Sequence, residues 1–411
     1  MMLLSLALGT LAAPAPDLVA LRVGRAETVS QGTIPHAVIL IEDGKIVTVG
    51  QDLPIERGIP VVDLPDVIVT PGFVNCRSRM GVDSRAGNGV TPQIMALDEF
   101  VPSAGPFAGA LEAGVTTIGL YPPGGGIPGQ AGALRTSGSG MEGLLLDESV
   151  YLAMYVGADR AQKKQVTDAF GAVDKYLEKV KKEREKYEEA KEKAKKKKKK
   201  DDDEDEDEDK KEEKLPDEFI PPAPDANVLP MIQLLNGDLR ALVGIGKAAD
   251  FLHALDAFDG RDFEFDLQID MRDELDLYRI ADRIAEHDLR VVTDPVITLH
   301  PGTRRERNLP AELAAAGCKL AFVPRTDSSA GHGRWRREVA GMIRYGLPTD
   351  TALRAMTHEP AAVMGLEDEI GSIAEGQYAN LIFFDGEPFA EATEILGVML
   401  EGEIVSGDLR L

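Results

Sequence analysis

From residue 67 to 374, short apolar runs alternate with amphipathic helical stretches, and no other feature constrains the fold as much. The strand candidates are "GVTTIGLYPP" (114–123), "RALVGIG" (240–246), "FEFDLQI" (263–269), "LRVVTDPV" (289–296) and "CKLAFVPRTD" (318–327). Between and after them "AADFLHALDAF", "ELDLYRIADRIAEH", "RREVAGMIRYG" and "TDTALRAMTHEPAAVMG" carry helical periodicity. Strand and helix in alternation over this length predict a parallel sheet, with a closed (β/α)8 TIM-type barrel as the expected form.

The two ends differ from this pattern and match each other. "HAVILIEDGKIVTVG" places two apolar runs around Asp43-Gly44, and "EILGVMLEGEIVSGD" does the same around Glu401-Gly402. Both dipeptides suit the positive φ of a tight hairpin. Residues 16–66 and 375–411 are therefore expected to join in one small β-sandwich domain beside an α/β barrel spanning 67–374.

One segment, 162–224, interrupts the alternation. Phe170, Val173, Leu177 and Val180 recur at helical spacing, and then "KKKKKKDDDEDEDEDKK" follows. A lysine block running into an acidic block cannot bury apolar area, so this insertion should be helical and then disordered, or a solvated arm. The tract from Asp174 to Glu218 holds 17 basic and 20 acidic residues, so most of the formal charge of −24 belongs to the globular part. A surface that acidic disfavours nucleic acid and anionic membranes as partners.

The N-terminus, "MMLLSLALGTLAAPAPD", has an apolar run leading into Ala13-Pro14-Ala15, the pattern of a cleaved signal peptide over residues 1–15. It is too short to span a bilayer, and no later segment reads as a span. The expectation is a periplasmic or extracellular protein, or a cytoplasmic one if this leader is not a signal. Cys76 falls near the end of one barrel strand and Cys318 at the start of another. Opposite ends of a strand layer exceed the ~5.5 Å Cα spacing of a disulfide, so two free thiols are expected.

Several stretches together resemble the amidohydrolase superfamily, specifically its imidazolonepropionase-like branch. "IEDGKIVTVG" followed by "VIVTPGFVN" is similar to that family's entry into barrel strand one. "ALEAGVTTIGLYPPGGGIPGQAGALR" is similar to its second strand and glycine-rich loop, and "GLPTDTALRAMTHEPAAVMGLEDEIGSIAEGQYANLIFFDGEPF" to its closing helix and return to the β domain. The resemblance implies a metal site at the C-terminal mouth of the barrel. Its ligands would be a His-x-His pair after strand one, a Lys or Glu on strand four, histidines on strands five and six, and an Asp on strand eight. The metal would lower the pKa of bound water and the Asp would move its proton.

This chain departs from that pattern. In "VIVTPGFVNCRSRMG" the His-x-His places hold Arg77 and Arg79, and a guanidinium offers no lone pair to a metal. The strand-five place falls on Gly244. The strand-six place falls within Asp270–Asp273, where no histidine stands. Only Asp327 matches its family position, and the strand-four place is blurred by the charged segment.

The expectation is thus an exported amidohydrolase-like protein without the metal site, acting as a non-catalytic or altered-function binding protein. Arg77, Arg79, Gln130 and Arg325 are its ligand-binding candidates. Arg77, Arg79, Arg85, Arg325, Arg334, Arg336 and Arg337 are read as a basic cluster at the mouth that suits a small anion. The alternative is a hydrolase of C–N bonds in cyclic amides. It would use a rearranged site of Asp327, His300 and His332, with one divalent metal such as zinc or with none. Self-association, or pairing with an active paralogue, belongs to the first reading.

Overall fold

The computed structural model describes residues 18–82, 87–102, 107–157, 160–201, 216, 218–269, 276–300 and 302–409. The leader, Asp83, Arg85, the acidic half of the charged tract and the strand-six place at Asp270–Asp273 lie outside them.

Eight strands form the barrel sheet. In chain order they are strand one Phe73–Ser78, two Val115–Leu120, three Gly129–Arg135, four Leu145–Tyr155, five Ala241–Ile245, six Phe265–Ile269, seven Arg290–Thr293 and eight Lys319–Phe322. Each pairs with the next, so the sheet is nearly closed. The helices Thr349–Met356 and His358–Val363 pack against both strand one and strand eight, covering the seam. Inside the barrel, Val74, Cys76, Ala131, Ala133, Tyr151, Ala153, Leu242, Val292 and Ala321 make one buried cluster.

The sheet is not wholly parallel. Strand three runs antiparallel to strands two and four. The cause is its connection: the glycine-rich stretch 121–128 is shorter than the dozen or so residues that a parallel crossover needs. The other strand pairs are parallel, as the alternation predicts.

The chain ends meet in a seven-stranded sheet. Val61–Pro71 is its hinge, pairing with Leu18–Glu27 on one side and Leu381–Phe384 on the other. The sheet wraps a core of Leu21, Ile39, Ile41, Ile46, Phe383 and Met399, drawn from strands far apart in its order. Both expected hairpins are present. Asp43 and Gly44 have φ of 49° and 80°, and Glu401 and Gly402 have 49° and 82°. The two tips touch: a Cβ on Gly44 would sit 2.7 Å from the Glu401 carbonyl oxygen.

The charged segment grows out of the crossover from strand four to strand five. Arg160–Asp201 is one helix of 42 residues. Its first turns bury Val166, Ala169, Phe170 and Val173 on the barrel. Further along, Leu177 is exposed, and Tyr176 and Tyr187 donate to the carbonyls of Pro222 and Pro216 in the returning strap. The lysine block to residue 200 continues this helix. No helix among the described residues is long and apolar enough to cross a membrane.

The N-terminal ends of the strands form a charged floor. Asp266 accepts from the Arg290 backbone at 2.9 Å, the Arg290 side chain lies 3.3 Å from Glu359, and Arg354 donates to Glu359 at 2.7 Å. Arg240 binds Glu264 at 2.6 Å and the Ala362 carbonyl. Asp266 and Glu359 are each 5 % exposed.

Candidate ligand site at the barrel mouth

Strand one ends in a register shift between Asn75 and Ser78, and this irregularity sets the directions of Arg77 and Arg79. The Arg77 guanidinium lies 4.0 Å above the Tyr121 ring, and its Nη2 donates to Tyr155 Oη at 3.3 Å. Tyr121 follows strand two and Tyr155 ends strand four, so three strands converge on one cation. Beneath it Tyr151 donates to the Cys76 carbonyl at 3.0 Å. Burial opposes the Arg77 charge, but the phenols of Tyr155 and Tyr121 outweigh it and its pKa is raised. Burial likewise raises Tyr121 and, strongly, Tyr151. Among the described residues no carboxylate pairs with Arg77.

The strand-five place is closed by the same group. A Cβ on Gly244 would lie 2.6 Å from Tyr155 Cε1, so the tyrosine ring fills the space of any side chain there. Tyr155 and Tyr121 escaped sequence reasoning. The available signal was a tyrosine at the C-terminal end of two apolar runs, "VTTIGLY" and "VYLAMY", the second of which carries strand four.

Asp327 sits at the mouth, accepting from Ser78 Oγ at 2.7 Å and from the Arg79 amide. It ties the segment after strand eight to the end of strand one. His332 does the same one layer deeper. It lies in the first turn of the helix Ser329–Arg344 rather than in a loop, and it is 1 % exposed. Its Nδ1 is 2.9 Å from the Ser328 carbonyl, which only a protonated nitrogen can satisfy. Nε2 therefore keeps the lone pair, and Asn75 Nδ2 donates to it at 3.0 Å. Burial lowers the His332 pKa against the pull of Ser328 and Asp327. A neutral imidazole whose lone pair is already used cannot also hold a metal.

The remaining candidates scatter. His300 lies on the hairpin Thr298–Arg307, its ring 5.3 Å from Tyr278, and it joins neither Asp327 nor His332. Gln130 alternates outward from Ala131 on strand three. Its amide nitrogen Nε2 donates to the Pro92 carbonyl at 3.0 Å and its Oε1 accepts from the Ser149 hydroxyl at 2.6 Å, so it clamps a covering segment. Arg325 is exposed on the loop after strand eight. The basic cluster breaks up as well: Arg336 donates to the carbonyls of Pro388, Ala390 and Thr393 in the small domain, and Arg337 lines a cleft there with Phe389. Cys76 and Cys318 are both free and buried, as expected.

A divalent metal does not fit the described positions. Two arginines, a glycine overlaid by a phenol ring and an engaged histidine leave Asp327 as the family donor. Among the described residues no group of three or more His, Cys, Asp or Glu could hold an ion.

Comparison with known proteins agrees with the architecture. The sequence profile of the amidohydrolase family matches residues 276–405. An amidohydrolase from Thermotoga maritima is similar at 22% identity and a TM-score of 0.74, covering 95% of this chain and 100% of its own. A prolidase complexed with N-methylphosphonate-L-proline gives 15% and 0.55, covering 95% and 100%. Another amidohydrolase gives 16% and 0.55, covering 96% and 100%. Comparison with curated protein sequences finds no match. The barrel and its composite β domain thus share the fold of these solved structures, and residues 276–405 match the amidohydrolase family's profile.

Proposed function

We propose that this protein uses the amidohydrolase fold to bind a small carboxylate-bearing molecule at the barrel mouth, without the family's metal-dependent hydrolysis. The observation that carries the reading is Arg77. It stands where the resemblance puts a metal ligand, rests on Tyr121 and Tyr155, and pairs with no described carboxylate. Its remaining N–H groups match the fork geometry of a carboxylate. Tyr121 and Tyr155 would flank such a ligand, and Asp327 would keep the loop after strand eight in place. The apolar leader is what favours export, and loss of residues 1–15 from secreted protein would test that placement.

The first test is metal content after exposure to zinc and manganese. Less than about a tenth of an ion per chain is expected, together with a rise in melting temperature with simple carboxylates. Near one ion per chain, lost in Asp327→Ala, would instead support a hydrolase of C–N bonds.

A further inference from the structure

A second group of cationic side chains lies on the hairpin between strands seven and eight. Thr298 pairs with Arg307 and Leu299 with Glu306, and the His300 amide donates to the Arg305 carbonyl at 2.8 Å. In such a ladder directly opposed residues share a face, as do residues two apart. His300, Arg305 and Arg307 therefore project to one side. That side walls a cavity of about 470 Å³ with the helix Leu309–Ala315 and Tyr345.

Arg307 is the centre of this site. It is 7 % exposed, and its guanidinium carbon lies 3.5 Å over the Tyr278 ring. One edge is taken by Glu312, with Nε donating at 2.9 Å. Nη1 is buried and has no hydrogen-bond partner among the described residues. A buried guanidinium N–H without an acceptor is costly, and an acceptor from outside the chain would remove that cost. The carboxylates on the wall are already engaged, Glu312 by Arg307 and Glu306 by the Tyr345 hydroxyl at 2.9 Å. Arg305 pairs with no described carboxylate. Asn308 is used internally, donating to the carbonyls of Met342 and Tyr345.

We infer that this cavity binds a phosphate-class oxyanion, held by Arg307 Nη1, Arg305 and His300. Three donors arriving from separate side chains suit an anion with several terminal oxygens better than a planar carboxylate. None of the residues around Arg77 lines this cavity.

Titration calorimetry of the full chain with inorganic phosphate tests it. Saturable binding is expected, weakened at least about tenfold in Arg305→Ala and further in the double variant Arg305→Ala/His300→Ala. Both substitutions alter hairpin side chains and leave the Arg307–Glu312 pair intact. Arg77→Gln should keep the binding, which separates this site from the mouth. Absence of phosphate binding in the wild type, its persistence in the double variant, its loss in Arg77→Gln, or saturation by acetate at lower concentration would each overturn the inference.

Discussion

The floor and the mouth of the barrel both carry arginine, and they use it in opposite ways. At the floor Arg290 and Arg354 close on Glu359, and Arg240 closes on Glu264. At the mouth, among the described residues, the Arg77 guanidinium meets the phenols of Tyr155 and Tyr121. Paired charge among packed helices and strands maintains a fold, whereas the proposed function assigns the charge at the C-terminal face of the barrel to a ligand. The contrast is measurable.

The largest effect should come from the floor. Glu359→Ala leaves Arg290 and Arg354 without their shared acceptor and should cost about 3–5 kcal/mol in urea denaturation. A loss below about 1 kcal/mol would mean that the network does not stabilise the floor. Arg77→Met should change stability by no more than about 1 kcal/mol, the scale of one cation–π contact, yet abolish carboxylate-dependent stabilisation. If it destabilised as much as Glu359→Ala, the mouth arginine would be structural and the contrast would fail.

Smaller effects appear as pH dependence of opposite sign. His332 has a lowered pKa, mainly through burial, so the unfolded chain takes up a proton near 6.5 that the folded chain refuses. Its contribution is full above 6.5 and is lost as pH falls through the lower folded value. Asp266 has a raised pKa, burial outweighing Arg290, so its contribution is present below 3.8 and lost as pH rises through the folded value. Denaturation between pH 7.5 and 5.5 should show a loss on acidification that His332→Gln reduces. An unchanged slope in that variant would remove His332 as its source. The smallest expected effect is at the thiols. Burial pushes Cys76 up to about 12 and Cys318 up to about 11, so neither should react with a thiol reagent until urea is added, when both should. Labelling of Cys76 in the folded protein would show that the mouth opens to the lumen.

Local chemistry made much of this legible. Asp43-Gly44 and Glu401-Gly402 announce their hairpins because backbone conformation there depends on two residues alone. Strand direction does not depend on local chemistry. The reversal of strand three follows from the length of a connection, and the place on strand four was blurred by the charged segment that follows it. At the site, Arg77 and Arg79 could be placed at the end of strand one by position. Its consequence could not, because Tyr121 and Tyr155 meet Arg77 only when separate strands converge. The partners of Gln130 were hidden for a related reason: inward or outward direction on a strand is set by register, and one residue decides it. His332 was misread because a cap at Ser328 starts a helix where a loop was expected.

The helix Arg160–Asp201 also bears on how this protein behaves in solution. At 42 residues it is roughly 60 Å long. A compact chain of 411 residues has a radius of gyration of only about 22 Å. Beyond Tyr176 the helix is accompanied mainly by its own strap, so it acts as a lever on hydrodynamic drag. A monomer should elute early from a sizing column and tumble slowly, imitating a dimer. Its mass in solution therefore has to be measured by light scattering or sedimentation equilibrium, which weigh the particle without assuming its shape.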